Sequence, residues 1–502
     1  MAYIIPNGKI QLMNNLRLDS SYEHTYHFDS LAAQSSFFAG KVVQSFTNQS
    51  YSRKQKDLYV NIKADSIYNC NYLRFQNTSF GSKWFYAFIT EIEYISNDVS
   101  KISFEIDVVQ TWFFDFDMNG NFVERSHTAS DDLFEHIEPD ISPFGDDYVF
   151  TKRVEKNYSN LKACVQATSN PAGLIAGITR NNVYSQLHVI KNISITDETE
   201  LNKIVNEDYS GRVDAIINIF EYPEFLNNAT TNSPASENYN FTADTVVLDS
   251  YTIKNKKCLC YPYNYLIVSN NQGANTSLRF EDFANAAQNT FGFTVIGALF
   301  PTPEMMCYPR SHKGIANDYE HGTPLNNFPT CCFSGNAYTN YLAQHQNSIA
   351  ISNISAIGET IAGGVNPASI LNTLKSGATY YANQMDMRHL PASAKGHLNS
   401  VGLTAALNRY GFNFYQKCLN QSNMKMVDNF FTKYGYAINR IWNNIRTDVR
   451  PYFTYIKLNN AAIYGNVPAQ DCRKLESIHN NGITYWKSNA TIGDYTVNNS
   501  PT

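Results

Sequence analysis

Four carboxylates are the residues of this 502-residue chain whose types and spacing could first do chemistry: Glu91, Glu93, Glu105 and Asp107. They fall in two runs that read as the arms of a hairpin, Lys83–Ile95 and Lys101–Thr111, joined across Ser96-Asn97-Asp98. In the second arm Ile102, Phe104, Ile106 and Val108 alternate with Ser103, Glu105 and Asp107, the period of a half-buried strand. The first arm starts apolar on both faces, at Trp84, Phe85, Tyr86 and Phe88. It ends with Glu91 and Glu93 turned away from Ile92 and Tyr94. If the apolar faces of the two arms coincide, opposed residue numbers sum to an even value, and all four acids share one face. With Tyr94 opposite Ile102, Glu91 would meet Glu105, a like-charge pair that costs stability. Three readings fit such a face. It is a solvated surface whose basic neighbours come from elsewhere in the chain, or the acidic lining of a conduit that repels phosphates. The third is a carboxylate pair of the glycosidase kind or a calcium site.

Other candidate chemistry is sparse. Cys258-x-Cys260 and Cys331-Cys332, with Cys307 and His321 between them, offer the right ligand types for a metal, but the spacing matches no paired zinc knuckle. They read as buried free thiols, and no metal or cofactor is expected. There is no H-E-x-x-H, G-x-S-x-G or G-x-x-x-x-G-K-[ST] signature. An enzyme is therefore not expected.

The elements that would position these residues are mostly strands. Only 17% of residues are charged, against roughly 25% in average proteins, while Tyr (34) and Phe (31) are abundant. That mixture suits strands and turns better than long surface helices. The net charge of −5 lacks the basic signature of a protein built to grip DNA. Met1–Ile10 shows no signal-peptide pattern, so sequons such as Asn77-Thr78-Ser79 and Asn240-Phe241-Thr242 are expected to stay bare. The nine scattered Cys suit a reducing compartment.

Further strand signals lie at Asp214–Phe220, Thr245–Ile253 and Cys258–Val268, the last followed by an Asn270-Asn271-Gln272-Gly273 turn. Asn420–Tyr434 reads as a helix with Met426, Val427, Phe430, Phe431 and Tyr434 on one face and Gly435 as its stop. Asn481-Gly482 reads as a hairpin turn before Ile483-Thr484-Tyr485-Trp486.

Between Ile349 and Tyr381 the only charges are Glu359 and Lys375. Ile349, Ile351, Ile354, Ile357, Ile361 and Val365 follow a helical spacing. Gly363-Gly364 and Asn366-Pro367 break it, and Ile370, Leu371, Leu374, Ala378 and Tyr381 resume it. Two readings are open: a helical hairpin buried in an ordinary core, or a segment that meets lipid. Ile349–Val365 is at the lower edge of what spans a bilayer, and Ser352, Asn353, Ser355, Glu359 and Thr360 are costly there unless several copies pair them.

Several stretches resemble the tail-knob (distal tail tube) proteins of small short-tailed phages of Gram-positive bacteria. They are Lys83 to Glu93 (KWFYAFITEIE), Phe104 to Trp112 (FEIDVVQTW), Tyr261-Pro262-Tyr263, Lys433 to Arg440 (KYGYAINR) and Asn481 to Trp486 (NGITYW), in that order along the chain. The resemblance implies a mainly β (α+β), multi-domain, β-rich subunit of a homohexameric tube at the distal end of the virion tail, synthesised in the host cytoplasm. It also implies a hydrophobic loop between the Tyr261 and Lys433 stretches, where 349–381 lies, that plugs the channel and is released towards the host membrane. Expected partners are its own copies, other tail proteins, duplex DNA passing non-specifically, and the host membrane. The expected division is an N-terminal β tube domain at 1–135, a middle β domain at 136–250, a β-rich domain at 251–344, the hydrophobic loop at 345–390 and a C-terminal region returning to the tube at 391–502. A tail-tip wall-degrading glycosidase and a receptor-binding appendage are the alternatives.

Overall fold

A computed structural model describes residues 7–131, 147–167, 188–194, 216–331 and 409–501, apart from short stretches inside those ranges. The chain forms two compact units, neither continuous in sequence: residues 1–143, 247–258 and 421–502 make the first, and 144–246 with 259–420 the second. Both are rich in strands, as the composition implies.

The first unit holds a seven-stranded antiparallel sheet, in the order Val42–Gln49, Gly8–Asn14, Cys70–Asn77, Phe85–Ser96, Val99–Ile106, Asp57–Val60 and Tyr51–Ser52. Alternation dictates its faces. Along Val99–Ile106, Ser100, Ile102, Phe104 and Ile106 are buried while Lys101, Ser103 and Glu105 are not. Leu12, Leu73, Ala87, Ile102 and Phe104 enter one core, which also takes in Val123, Ile456, Leu475 and Ile483. Met13, Tyr72, Tyr86 and Phe88 enter a second core with Phe38, Phe453 and Trp486. The strand that starts at Phe85 is thus covered on both faces at its base, which is why its sequence is apolar there in both registers. Each such ring buried contributes on the order of 2–3 kcal/mol.

A five-stranded sheet joins the two ends of the chain: Thr25–Tyr26, Ile483–Trp486, Phe453–Asn459, Asn121–Ser126 and Tyr436–Trp442, with the first pair parallel. Four helices of this unit matter below: α1 (Leu31–Ala39), α2 (Val108–Trp112), α3 (Gln421–Tyr434) and α4 (Ala469–Asn481). The Ser30 Oγ caps α1 by accepting from the Ala33 N–H at 3.2 Å. Helix α3 ends at Gly435, with φ +66°. Its buried side chains include Met424, Val427, Asp428 and Phe431, whereas Met426 and Phe430 are exposed; the expected apolar face is therefore rotated. Asp428 is the reason. Buried in α3, its carboxylate accepts from the Tyr251 hydroxyl at 2.6 Å and from the N–H groups of Lys254 and Asn255 at 2.9 and 3.0 Å. That hub turns a polar residue inward and holds 247–258 in the first unit.

Two other expectations change. Asn481-Gly482 is not a hairpin turn: Asn481 ends α4, and Gly482 (φ +99°) closes it by donating to the Ile478 carbonyl. The stretch from Cys258 is not one strand, because Lys256–Leu259 forms a 3-10 turn and the strand begins at Asn264.

Among the described residues the second unit contains three sheets. One runs Tyr148–Asn157, Gly411–Leu419, Asn264–Ser269, Asn275–Leu278, and another His188–Ser194, Leu161–Ala167, Ile216–Pro223, Thr330–Cys331. The third runs Ala235–Thr242, Thr290–Ala298, Glu304–His312, Ile315–Asn317, with Thr323–Leu325 also paired to Glu304–His312. The Asn270–Gly273 turn forms as expected: Asn270 Oδ1 accepts from the N–H groups of Gln272 and Ala274 at 2.7 and 3.0 Å, and Gly273 takes φ +104°.

Candidate functional site

The acid-bearing hairpin lies in the seven-stranded sheet and turns over Asn97-Asp98. At its tip the Tyr94 hydroxyl donates to Asn97 Oδ1 at 2.9 Å. The register differs from the expected one. Ile92 meets Ile102, Tyr94 meets Ser100, Glu91 meets Ser103 and Glu93 meets Lys101. An irregularity between Ile89 and Glu91 then shifts the pairing by one residue, so Phe88 meets Glu105. Glu91 and Glu105 are therefore not directly opposed, which removes the predicted like-charge cost. Glu91, Glu93 and Glu105 do share a face, continuous with the Tyr72, Tyr86 and Phe88 side of the sheet. Glu93 pairs with Lys101 at 3.0 Å. Glu105 lies 3.6 Å from Lys56 and 3.8 Å from Lys474. The face is partly neutralised; exposed pairs of this kind stabilise by about 1 kcal/mol or less.

Asp107 corrects the expectation that all four acids line one face. It is 1% exposed. Alternation would have carried it on with Glu105, but the chain turns helical at Val108, and Asp107 becomes the cap of α2. Its Oδ1 accepts from the Gln110 N–H at 3.0 Å, and its Oδ2 from the Tyr72 hydroxyl at 2.8 Å. Burial pushes its carboxyl up to about 6, against the downward pull of these donors. All five residues of α2 are buried. Gln110 Nε2 donates to the Tyr26 carbonyl at 2.8 Å, the Tyr86 N–H to Thr111 Oγ1 at 3.0 Å, and Trp112 Nε1 to Asp471 of α4 at 3.0 Å. The Phe104–Trp112 stretch is thus a polar knot that fastens the base of the hairpin.

The loop residues Ile349, Ile351, Ile354, Ile357, Ile361, Val365, Ile370, Leu371 and Leu374, and the turn residues Gly363, Gly364, Asn366 and Pro367, lie outside the described residues. Among the described residues no helix is long and apolar enough to cross a membrane. The two stems that flank the segment are described. Phe328 and Tyr410 are buried, with ring centroids 6.1 Å apart. The Tyr158 N–H donates to the Tyr410 carbonyl at 2.8 Å.

Cys258, Cys260 and Cys307 are buried thiols. Burial pushes the Cys307 thiol up, which opposes the thiolate a metal needs. His321 meets none of them; it meets Asp318 and His312. That grouping escaped the sequence reading, whose only signal for it was three metal-ligating side chains within ten residues of one hairpin.

Comparison with known proteins agrees with the fold. The structure of the bacteriophage C1 tail knob protein, gp12, superposes with a TM-score of 0.68 at 15% identity, covering 98% of this chain and 99% of that one. The tail knob proteins gp9 of Bacillus phages B103 and phi29 are 23% and 24% identical, each over 99% of this chain and all of the relative. The Caudoviral major tail protein N-terminus family matches residues 6–117. The family described as Bacillus phage phi29, tail knob protein gp9, C-terminal domain matches residues 222–500, more than half of the chain. A phage-tail structural role for the strand-rich, two-unit architecture follows, and the chain belongs to the tail knob protein family represented by gp9 of phage phi29.

Proposed function

We propose that the chain is the subunit of a closed homohexameric ring at the distal end of the tail, that duplex DNA leaves through this ring, and that residues 349–381 plug the channel and are then released towards the host membrane. The observation that supports a moving segment is the meeting of its stems. The chain leaves a sheet at Cys331 and returns beside Phe328 at Tyr410, within one unit. A segment whose ends are already held together can be long at little cost to the unit, because closure entropy grows only slowly with length. Ring formation by head-to-tail contacts has support in the apolar side chains that the seven-stranded sheet leaves exposed: Val43 on an edge strand, Tyr59 beside the other edge, and Tyr94 with Ile95 at the hairpin tip. Glu91, Glu93 and Glu105, without Asp107, are the acids that would line the channel. Like charge keeps a conduit from holding the phosphates that pass through it.

Light scattering on the purified protein tests the assembly: six copies of the 56.8 kDa chain are expected, and a stable monomer or trimer at tail-assembly concentrations counts against the ring. Deleting 349–381 should leave hexamers intact and remove infectivity. Loss of folding on that deletion would instead make the segment core. Once triggered, the intact protein should release dye from liposomes, and Ile354→Asp combined with Ile361→Asp should abolish the release.

A further inference from the structure

The second unit holds a group of side chains that the tail-knob role does not use. Strand Glu304–His312 ends in a two-residue turn, Lys313 (φ +50°) and Gly314 (φ +76°), and returns as Ile315–Asn317. The chain then bends through Asp318 and His321 before Thr323–Leu325 pairs back onto Met305–Cys307. The tight corner brings His312, Asp318 and His321 together, with their ligand atoms within 4.8 Å of one another. His312 and Asp318 are each 1% exposed, and the His321 side chain 31%. Both imidazoles aim Nδ1 at the same oxygen, Asp318 Oδ2, at 2.6 Å from His312 and 2.8 Å from His321.

With a single proton on its ring, this arrangement leaves His312 with an unsatisfied nitrogen. If its Nδ1 carries the proton shared with Asp318, the other ring nitrogen of a neutral imidazole is a bare acceptor. That nitrogen, Nε2, is buried with no hydrogen-bond partner among the described residues. It faces a carboxylate, Asp282 Oδ2, at 3.9 Å, and the Phe283 ring packs against the imidazole at a centroid distance of 4.9 Å. A buried acceptor turned towards a carboxylate is unfavourable by ~1–3 kcal/mol.

We infer that His312, Asp318 and His321 bind a divalent transition-metal cation of the zinc type, with Asp282 as the outer partner of His312. A cation on the two Nδ1 atoms and the Asp318 carboxylate moves the His312 proton to Nε2. There it points at Asp282, the carboxylate–histidine–metal arrangement that orients metal-bound imidazoles. Two imidazoles and one carboxylate suit zinc, cobalt and nickel, whereas calcium and magnesium take oxygen sets. Metal–ligand bonds of ~2.0–2.1 Å place tetrahedral ligands about 3.3 Å apart, so the two hydrogen-bonded pairs open by roughly half an ångström to admit the ion. The exposed edge of His321 leaves the fourth position to water. Lys313 lies 3.3 Å from His321 Nε2, and also 4.0 Å from Asp282; its side chain is half exposed and free to turn to the latter. The cation would pin the corner of the sheet that carries Glu304–His312 and is separate from any role in conducting DNA.

Titration of the chelator-stripped full-length protein with Zn²⁺ and Co²⁺ tests this. One saturable equivalent per chain is expected, with Co²⁺ developing visible absorption bands of low coordination. His321→Ala, at a partly exposed position, and Asp318→Asn should each weaken binding at least tenfold, while Glu320→Gln on the neighbouring exposed residue should not. Zn²⁺ should raise the melting temperature of the unaltered chain and leave that of His321→Ala unmoved, a readout that does not need Asp318→Asn to fold. Absence of saturable binding, or an affinity and melting shift that survive His321→Ala, would overturn the site.

Discussion

Replacing Asp107 by alanine separates an anchor from a channel lining. The substitution removes the N-cap of α2, worth about 1 kcal/mol, and leaves the Tyr72 hydroxyl buried without the acceptor it now has at 2.8 Å, worth a further ~1–3 kcal/mol. Asp107→Ala should therefore destabilise the first unit by about 2–4 kcal/mol. Asp107→Asn keeps a capping oxygen and should cost roughly 1 kcal/mol or less. The pH dependence sharpens the test. Burial raises the folded carboxyl from its ordinary 3.8 to about 6. A raised carboxyl contributes stability that is full below the unfolded value and is lost as pH rises through the folded one. From pH 7 to pH 5 the folded group moves to about one unit below its pKa while the unfolded one stays ionised. At ~1.36 kcal/mol per unit, the gap between the unaltered chain and Asp107→Ala should widen by about 1.4 kcal/mol. Urea unfolding followed by tryptophan fluorescence reads this unit selectively, because all four tryptophans, Trp84, Trp112, Trp442 and Trp486, belong to it. A loss below about 1 kcal/mol, or a gap that stays flat or narrows on acidification, would refute the anchor and return Asp107 to the solvent-facing set.

Gly435→Ala should be among the most damaging single changes: at φ +66° the new methyl would sit 2.3 Å from the Ser126 backbone carbonyl, and the same urea midpoint should fall by an amount equivalent to ~3 kcal/mol or more. Burial lowers His127 to about 3 and His479 to about 4. Their neutral rings stabilise fully above the unfolded pKa near 6.5, and that contribution is lost as pH falls towards the folded values. Acidification to pH 5 should cost about 2 kcal/mol for each, and His479→Gln should remove its share of the slope in a pH series. Glu91→Lys, Glu93→Lys and Glu105→Lys together change exposed or half-exposed positions and should leave the urea midpoint within about 1 kcal/mol of the parent, while DNA exit from phage carrying them slows; a collapse of the midpoint would show that the face is structural.

Much of the architecture is local chemistry and so was legible in the residues. The alternation from Ser100 to Ile106, the two-faced apolar start at Phe85 and the Asn97-Asp98 turn specify the hairpin, because a period of two needs no distant partner. Gly435 and Gly273 mark backbone that other residues rarely adopt. The tertiary structure alone decided the rest. Pattern reading carried Asp107 past Ile106 because alternation does not see a helix that begins at the next residue. The Gln110 N–H, the Tyr72 hydroxyl and the covering of α2 together make a buried carboxylate stable there. The irregularity between Ile89 and Glu91 has no glycine or proline to announce it, yet it sets which acids face which residues. Helix α4 was missed because its buried stripe, Asp471, Leu475 and His479, holds one apolar residue in three; the polar members are partnered inside by Trp112 and Tyr485, which arrive from other parts of the chain. The meeting of His312, Asp318 and His321 likewise depends on Thr323–Leu325 folding back on its sheet. Local patterns dictate which elements form, whereas buried polar groups are decided by partners that only the folded chain brings within hydrogen-bond reach.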